Sequence, residues 1–299
     1  MRSRPLESVA ARLVLGLLWL IHWLPLGVQD RLGRGLGALL WSLGKSRRRV
    51  ALRNLELCFP ERDLAERTAL AREHFRWLGR SFIDRGMLWH ASAERLRRLI
   101  HVEGEVRLAE HSERPVMWLV PHFLGLDVAG QSVTLYQTRT AGSIYQTQSN
   151  PVIDAAMRRG RLRFGNAQIY ARSESAKPIV RAIKRGDAFF NLPDMDFGVR
   201  DAAFVPFFGV PAATLLAPSR MAKMLGMVVQ PVVAELLPGG AGWRVRYLEP
   251  WTDFPTDDAV ADTARMNRWI ESEIRRNPAQ YLWVHKRFKT RPPGEAGLY

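Results

Sequence analysis

The chain has 299 residues, of which 47% are hydrophobic and 24% are charged, so the composition excludes an intrinsically disordered protein. Lysine and arginine outnumber aspartate and glutamate by 44 to 29, giving a net charge of +15. This excess indicates an anionic partner, and nucleic acid, an acidic membrane surface and an acidic protein all qualify. With one cysteine, Cys58, the chain can form no internal disulfide, and nothing indicates an oxidising compartment.

An apolar run without formal charge occupies residues 13–28, slightly short of the roughly 20 residues that span a bilayer. No cleavage site typical of a signal peptide follows the run. The basic residues after it attract anionic lipid and predict that the rest of the chain lies in the cytoplasm. We therefore expect an uncleaved N-terminal membrane anchor that either spans the bilayer or lies in its interface. The clustered cations are Arg31, Arg34, Lys45, Arg47, Arg48, Arg49 and Arg53.

Residues 61–99 carry apolar side chains at helical spacing, and after Pro115 short apolar runs alternate with helical segments. This alternation predicts an α/β fold: a mixed, mostly parallel sheet flanked by helices, with an N-terminal membrane-anchoring helical region. We divide the chain into an anchor and basic interfacial region, 1–55, and a catalytic domain, 56–299. The predicted strands are 116–120, 143–145, 168–170, 188–192, 227–236 and 243–248. Later predicted helices are one that begins at Asn150-Pro151, then 175–184, 214–225 and 257–276.

One histidine, His122, follows the predicted strand 116–120 at its carboxyl end, where open α/β sheets place their sites. Asp127 comes five residues later, at the start of a predicted helix. A turn between the two could bring the carboxylate onto the imidazole, leaving the other ring nitrogen to accept a proton. The pair indicates a general-base site, and the competing interpretation is a structural histidine.

The pattern His122-x-x-x-x-Asp127 is the signature of the glycerolipid acyltransferase superfamily, and other segments resemble one branch of it. That branch is the bacterial lipid A biosynthesis acyltransferases, which include lauroyl and myristoyl transferases. Glutamate often stands in these enzymes where this chain has Asp127. The segments that resemble the other blocks of the branch are 47–60, 150–163, 193–209 and 281–292. Together they extend over nearly the whole chain.

The resemblance implies transfer of a fatty acyl chain from acyl carrier protein to a hydroxyl of a lipid A precursor of the Kdo-lipid IVA type. His122 would be the general base and Asp127 would orient it. Arg161 would stabilise the oxyanion or bind a phosphate, unless it only forms an ion pair with Asp194. The expected substrate-binding residues are Arg163, Asp194, Asp196, Arg287 and Lys289.

The same resemblance implies no cofactor and no metal. The implied partners are acyl carrier protein, the lipid A precursor and anionic membrane lipids, but not nucleic acid. The implied location is the bacterial inner membrane, with the catalytic domain on the cytoplasmic face.

Three alternatives remain open at this stage. Asp194 and Asp196 match the Asp-x-Asp pair of metal-dependent glycosyltransferases, which would leave His122 without a role. Another branch of the superfamily would acylate a phosphatidylinositol mannoside or a glycerophosphate. The charge of +15 would also suit a membrane-tethered nucleic-acid binder, although the chain contains no recognised nucleic-acid motif.

Overall fold

Helices cover both faces of a central β-sheet in the computed structural model, which describes residues 5–173 and 177–299. The helices are α1 Pro5–Ile21, α2 Leu26–Leu43, α3 Lys45–Cys58, α4 Leu64–His90, α5 Ala93–Leu99, α6 Leu108–His111, α7 Leu126–Tyr136, α8 Pro151–Arg161, α9 Lys177–Lys184, α10 Ala217–Met224 and α11 Ala259–Arg276. The strands are β1 Ile100–Gly104, β2 Val116–Leu119, β3 Ala141–Tyr145, β4 Ala167–Ala171, β5 Ala188–Asn191, β6 Ala202–Phe207, β7 Val210–Leu215, β8 Val228–Leu236 and β9 Trp243–Tyr247.

The described residues form a seven-stranded sheet in the order β1-β9-β8-β2-β5-β3-β4. Every neighbouring pair is parallel except β8 and β9, which confirms the predicted mixed, mostly parallel sheet. β2 lies near the centre, where Met117 pairs with Phe189 of β5 and with Val229 of β8. The antiparallel pair β6 and β7 forms a separate two-stranded sheet.

Strand β2 is buried on both faces, as its continuous apolar run predicted. Val116 and Trp118 belong to the core beneath α7 and α8, whereas Met117 and Leu119 belong to the core beneath α10 and α11. Alternate side chains of one strand therefore enter two separate hydrophobic cores. This double burial fixes the end of β2, and with it the start of the loop that carries His122.

Several predicted elements differ from the structure. The segment 214–225 was predicted as one helix, but β7 continues to Leu215 and α10 begins only at Ala217. The apolar residues around Thr214 pair with β6, and that pairing determines their conformation. β1 and β6 were not predicted. Residues 175 and 176 of the predicted helix 175–184 lie outside the described residues, and the described part is α9.

The N-terminal helices pack directly on the rest of the fold, mainly where α2 crosses α4. Gly33, Gly37 and Gly79 lie at this crossing, where the two backbones nearly touch. A Cβ atom on Gly37 would come within 2.1 Å of the Phe75 carbonyl oxygen, and one on Gly79 within 2.3 Å of the Gly33 carbonyl oxygen. Only glycine permits so close an approach of two helices.

A buried ionic cluster strengthens the same crossing. The Arg80 side chain is 0% exposed, and it donates to Asp30 of α2 at 2.5 Å and to Asp84 at 2.6 Å. Asp84 also accepts a hydrogen bond from Nε1 of Trp243 in β9, at 2.7 Å. The cluster therefore links α2, α4 and the sheet, so part of the region 1–55 is joined to the body that carries the strands.

Apolar side chains project from α1 and the residues after it. Within residues 5–173 and 177–299, no helix combines the length and the apolar character needed to cross a bilayer, so the predicted membrane-anchoring helix is not supported as a spanning segment. Residues 1–4 of the predicted anchor lie outside the described part. Large apolar residues of this region that are more than 40% exposed are Val9, Leu13, Val14, Leu17, Trp19, Leu20, Trp23, Leu32, Leu39 and Leu43.

The α2–α4 crossing predicts opposite effects for two glycines of the same helix. Gly37→Ala should lower the free energy of unfolding by about 1–3 kcal/mol, because its methyl group would overlap the backbone of α4. Gly35→Ala should raise it by about 0.5–1 kcal/mol, because Gly35 faces open space and alanine favours the helix. Chemical denaturation of both variants in the same detergent tests this, and equal effects would contradict the close crossing.

The buried His74 predicts a loss of stability in mild acid. His74 of α4 lies with Nδ1 3.1 Å from the Ala279 carbonyl oxygen, and burial lowers its pKa from 6.5 to about 4 despite that bond. Between those two pH values the unfolded chain binds the proton and the folded chain does not, so stability falls as pH falls. We expect the unfolding free energy of His74→Gln to depend less steeply on pH in this window, by about 1 kcal/mol per pH unit. Parallel curves for parent and variant between pH 7 and pH 4.5 would contradict this.

Candidate active site

The loop after β2 brings His122 and Asp194 together. Val120 donates its backbone N–H to the Asn191 carbonyl at 2.9 Å, which holds the ends of β2 and β5 side by side. Asp194 follows β5, and its Oδ1 lies 2.6 Å from Nδ1 of His122. The backbone N–H of His122 donates to Oδ2 of the same carboxylate at 2.9 Å. One carboxylate therefore fixes both the position of the histidine backbone and the orientation of its ring.

Burial and charge determine the ionisation of this pair. The Asp194 side chain is 0% exposed, and the His122 side chain is 12% exposed. Burial alone would raise the pKa of Asp194, but the adjacent His122 and its two hydrogen bonds, together with Arg287, hold it below the ordinary value. The carboxylate is therefore ionised at neutral pH and accepts a hydrogen bond from Nδ1 of His122. Nε2 is the ring nitrogen that remains available for a reaction.

The predicted contact between Asp127 and His122 is replaced by a different one. Asp127 lies in the first turn of α7, and its Oδ1 accepts from Nε and Nη2 of Arg161 at 2.9 and 2.7 Å. Its Oδ2 lies 3.4 Å from Nε of Arg85, on α4. The alternative interpretation, an ion pair between Arg161 and Asp194, is absent from the hydrogen bonds and ion pairs of the described residues, because Arg161 binds Asp127 and Asp194 binds His122.

The Asp127 group forms a compact, partly open ionic cluster. Its side chain is 16% exposed, and those of Arg85 and Arg161 are each 29% exposed. Burial would raise the pKa of Asp127, but the two guanidinium groups outweigh it, so the pKa is lowered. Two cations on one carboxylate leave a net positive charge beside the loop that carries His122. The sequence did not identify Arg85, because it is one of many arginines on a helix distant in the chain.

The C-terminal segment closes over the His122 loop. Phe123 and Tyr281 form an antiparallel bridge, and the backbone N–H of Leu282 donates to the His122 carbonyl at 3.0 Å. Burial, and then the neighbouring Asp194 carboxylate to which it hydrogen-bonds, hold the pKa of Tyr281 well above its ordinary value. Tyr281 is therefore a neutral hydrogen-bond partner of Asp194, and this role was not predicted from the sequence.

His285, in the same segment, is held near Asp196. Its Nε2 accepts from the Asp196 backbone N–H at 3.2 Å. Burial, followed by the nearby His122 and Arg287, lowers the pKa of His285 to about 4. His285 is therefore a neutral imidazole that supports the loop 192–201.

The structure also places the predicted substrate-binding residues. Arg287 is 2% exposed, and it donates to the Ala213 carbonyl at 2.9 Å and to Oγ1 of Thr214 at 2.7 Å. Buried protein acceptors therefore occupy both terminal nitrogens of Arg287, and its predicted contact with a substrate phosphate stays a prediction. Lys289 is exposed, with Nζ 3.4 Å from the Asp196 carbonyl oxygen, so its predicted role in phosphate binding stays a prediction.

Arg163 lies two residues after the end of α8. Its two terminal nitrogens donate to the carbonyls of Leu88 and Ala91 at 2.8 and 2.7 Å, and burial lowers its pKa. Arg163 therefore satisfies carbonyl groups at the C-terminal end of α4. Its predicted contact with a substrate phosphate is not tested by these bonds and stays a prediction.

The two carboxylates of the Asp-x-Asp pair point to different partners. Asp194 binds His122, whereas Asp196 accepts from the Thr290 backbone N–H and hydroxyl, each at 2.7 Å, and from the Gly198 N–H at 3.0 Å. The side chains therefore do not converge on a common point. In residues 5–173 and 177–299 no three His, Cys, Asp or Glu residues are grouped so that they could hold a metal ion.

Comparison with known proteins gives matches over nearly the full length of the chain. The family described as bacterial lipid A biosynthesis acyltransferase matches residues 2–290. The lipid A biosynthesis palmitoleoyltransferase of Escherichia coli (strain K12) is 36% identical over 288 residues, covering 95% of this chain and 92% of that protein. The lauroyltransferase of the same organism is 36% identical, with coverage of 95% and 93%, and the myristoyltransferase is 32% identical, with coverage of 90% and 82%. The resemblance predicted from the sequence is confirmed, and this chain belongs to the bacterial lipid A biosynthesis acyltransferase family.

Proposed function

We propose that this protein transfers a fatty acyl chain from acyl carrier protein to a hydroxyl of a lipid A precursor of the Kdo-lipid IVA type, with His122 as general base. The observation that carries the proposal is the contact between His122 Nδ1 and the buried Asp194 carboxylate, at the carboxyl end of a central strand. Membership of the family supports the reaction class. An acyl thioester needs no cofactor, since cleavage of its own bond drives the transfer.

The geometry supports a direct, single-displacement reaction. Nε2 of His122 takes the proton from the acceptor hydroxyl as its oxygen attacks the thioester carbonyl carbon. Asp194 stabilises the resulting imidazolium and keeps the ring in one tautomer. The tetrahedral intermediate then collapses, the carbon–sulfur bond breaks, and the imidazolium returns its proton to the leaving thiolate. Positioned general-base catalysis of this kind contributes about 10²–10⁴ in rate.

We assign to Arg161 the stabilisation of the oxyanion that forms in the tetrahedral intermediate. Asp127 holds Nε and Nη2 of Arg161 through a single carboxylate oxygen. A guanidinium group fixed in advance stabilises developing negative charge without having to reorganise during the reaction. Asp127 then acts by positioning Arg161, which is a different role from orienting the histidine. Arg85 supports the same carboxylate from the opposite oxygen.

Charge and surface character support the proposed partners and location. The net charge of +15 would attract an acidic carrier protein, a phosphorylated acceptor and anionic lipid. The exposed apolar side chains of α1, such as Leu13 at 69% and Leu17 at 55%, form a surface suited to the membrane interface. We propose that the protein works on the cytoplasmic face of the bacterial inner membrane, with these helices in contact with lipid.

Family membership and the site geometry support this proposal over the alternatives that the sequence left open. The lipid A family matches nearly the whole chain, which favours this acceptor class over a phosphatidylinositol mannoside or a glycerophosphate. The separate partners of Asp194 and Asp196 disfavour an Asp-x-Asp glycosyltransferase. No observation favours nucleic acid as a ligand.

Acyl transfer by the purified protein tests the proposal directly. The assay follows a radiolabelled acyl group from acyl carrier protein to Kdo-lipid IVA, with lauroyl, myristoyl and palmitoleoyl donors, in the presence and absence of a chelator. The parent protein should be active in both conditions, and His122→Ala should lose about 10²–10⁴ of the rate. A folded His122→Ala variant that keeps most of its activity would exclude His122 as the base. A parent that is inactive with every donor would contradict the proposed substrates.

Because Asp194 binds His122 and Asp127 binds Arg161, variants of the two carboxylates should differ in their kinetics. Asp194→Asn should lower kcat by about 10²-fold or more, because an amide cannot stabilise the imidazolium. Asp127→Asn combined with Arg161→Gln should cost little more than Arg161→Gln alone, because both changes remove the same ion pair. Near-parent activity in Asp194→Asn would exclude Asp194 as the group that stabilises the imidazolium. Fully additive losses in the double variant would show that Asp127 does not act through Arg161.

A further inference from the structure

An open cleft outside the proposed catalytic group runs along one side of α8, from its first turn to its last. Its volume is about 790 Å³, and the loop between β3 and α8 forms one wall. The lining combines hydroxyl and amide groups, small apolar surfaces and two arginines. These residues are Thr147, Gln148, Ser149, Pro151, Asp154, Ala155, Arg158, Arg159 and Leu162. None of them has a role in the proton transfer described above.

The cleft has a fixed cation and a second, freely exposed one. Nη1 of Arg158 donates to the Tyr145 hydroxyl at 2.7 Å, and its guanidinium carbon lies 5.2 Å from the centre of the Tyr145 ring. Arg159 is exposed, and among residues 5–173 and 177–299 it forms no ion pair with a carboxylate. The Asp154 carboxylate instead accepts the backbone N–H of Gln148 at 2.8 Å and so shapes the loop. Two arginines and one carboxylate line the cleft, so a net charge of +1 remains there.

The same helix connects the cleft to the catalytic group. Arg158 and Arg161 are three residues apart in the last turn of α8, so their Cβ atoms are neighbours, about 5–6 Å apart. Arg161 is the residue bound to Asp127. The cleft and the Asp127–Arg161 ion pair are therefore next to each other on one helix.

Apolar surface adjoins the cleft on its other side. Nδ2 of Asn150, the N-cap of α8, donates to the Glu7 carbonyl of α1 at 3.2 Å. From this contact α1 continues along α4, with Leu13 and Leu17 on its outer side more than half exposed. The arrangement suits an amphiphile, with an anionic headgroup against the arginines and hydrocarbon chains along α1.

From this arrangement we propose that the α8 cleft binds a phosphate group of the acyl acceptor through Arg158 and Arg159. The proposal rests on the proposed function, since it assigns a position to the headgroup of the acceptor named there. The phosphate bound in the cleft belongs to the acceptor, not to the carrier arm of the donor or to bulk anionic phospholipid.

Steady-state kinetics with two acceptors tests the assignment. The full-length protein is assayed with bisphosphorylated Kdo-lipid IVA and with the same lipid after removal of its phosphates, in mixed micelles of neutral detergent. The variants are Arg159→Gln, Arg159→Lys and the double variant Arg158→Gln/Arg159→Gln. The matched control is Arg276→Gln, an equally simple loss of charge at the exposed end of α11 on the opposite face of the sheet.

We expect the KM for the bisphosphorylated acceptor to rise about tenfold or more in the double variant, with kcat within about twofold of the parent. Arg159→Gln should give a smaller rise and Arg159→Lys a smaller one still, because lysine keeps the charge. With the dephosphorylated acceptor, parent and variants should have the same KM. The control should behave as the parent does.

Three results would overturn the assignment while leaving the proposed function intact. They are an unchanged acceptor KM, a rise of the same size with the dephosphorylated lipid, and a rise confined to the acyl carrier protein donor. Sensitivity only to anionic phospholipid added to the micelles would instead assign the cleft to bulk lipid and also overturn it. An inactive parent would contradict the proposed function, and this inference with it.

Discussion

The rest of the site depends on one hydrogen bond, which Nδ1 of His122 donates to the buried carboxylate of Asp194. Asp194 stays ionised at zero exposure chiefly because the imidazole and the backbone N–H of His122 donate to its two oxygens. The parallel pairing of β2 and β5 sets the separation of the two loops, and the C-terminal segment covers them through the Phe123–Tyr281 bridge. Arg287, buried behind this group, adds a positive charge that further favours the carboxylate. Sheet, loop and C-terminal segment therefore all contribute to holding the imidazole of His122 in one position.

The site divides its charges between two carboxylates with different tasks. Asp194 faces the histidine, whereas Asp127 binds Arg161 and Arg85 on neighbouring helices. The first arrangement suits proton transfer, and the second suits an anion that forms during the reaction. Because Arg161 ends the same helix that lines the α8 cleft, one rigid element would contact both the reacting carbonyl and the distant end of the acceptor. A shift of that helix would disturb both together.

The sequence identified the fold class and the histidine but not the partner of the histidine. The apolar run 116–120 and the position of His122 directly after it follow from local pattern alone, and the structure has the same arrangement. Asp194 is 72 residues away, so no local spacing could pair it with His122. The nearby Asp127 looked like the partner, but helix α7 begins at Leu126 and directs that side chain toward α8. The segment around Thr214 was misassigned for the same kind of reason, since its strand conformation depends on pairing with β6.

The sheet order has a consequence for how the protein acquires activity. β5, whose end carries Asp194, lies between β2 and β3, although β3, α8 and β4 all precede it in the chain. It must therefore enter an interior position of the sheet between strands that come earlier in the sequence. Contacts that are distant in sequence form late in folding, since the loop entropy must be overcome first. Without β5 in its place between β2 and β3, the imidazole of His122 consequently has no buried carboxylate partner.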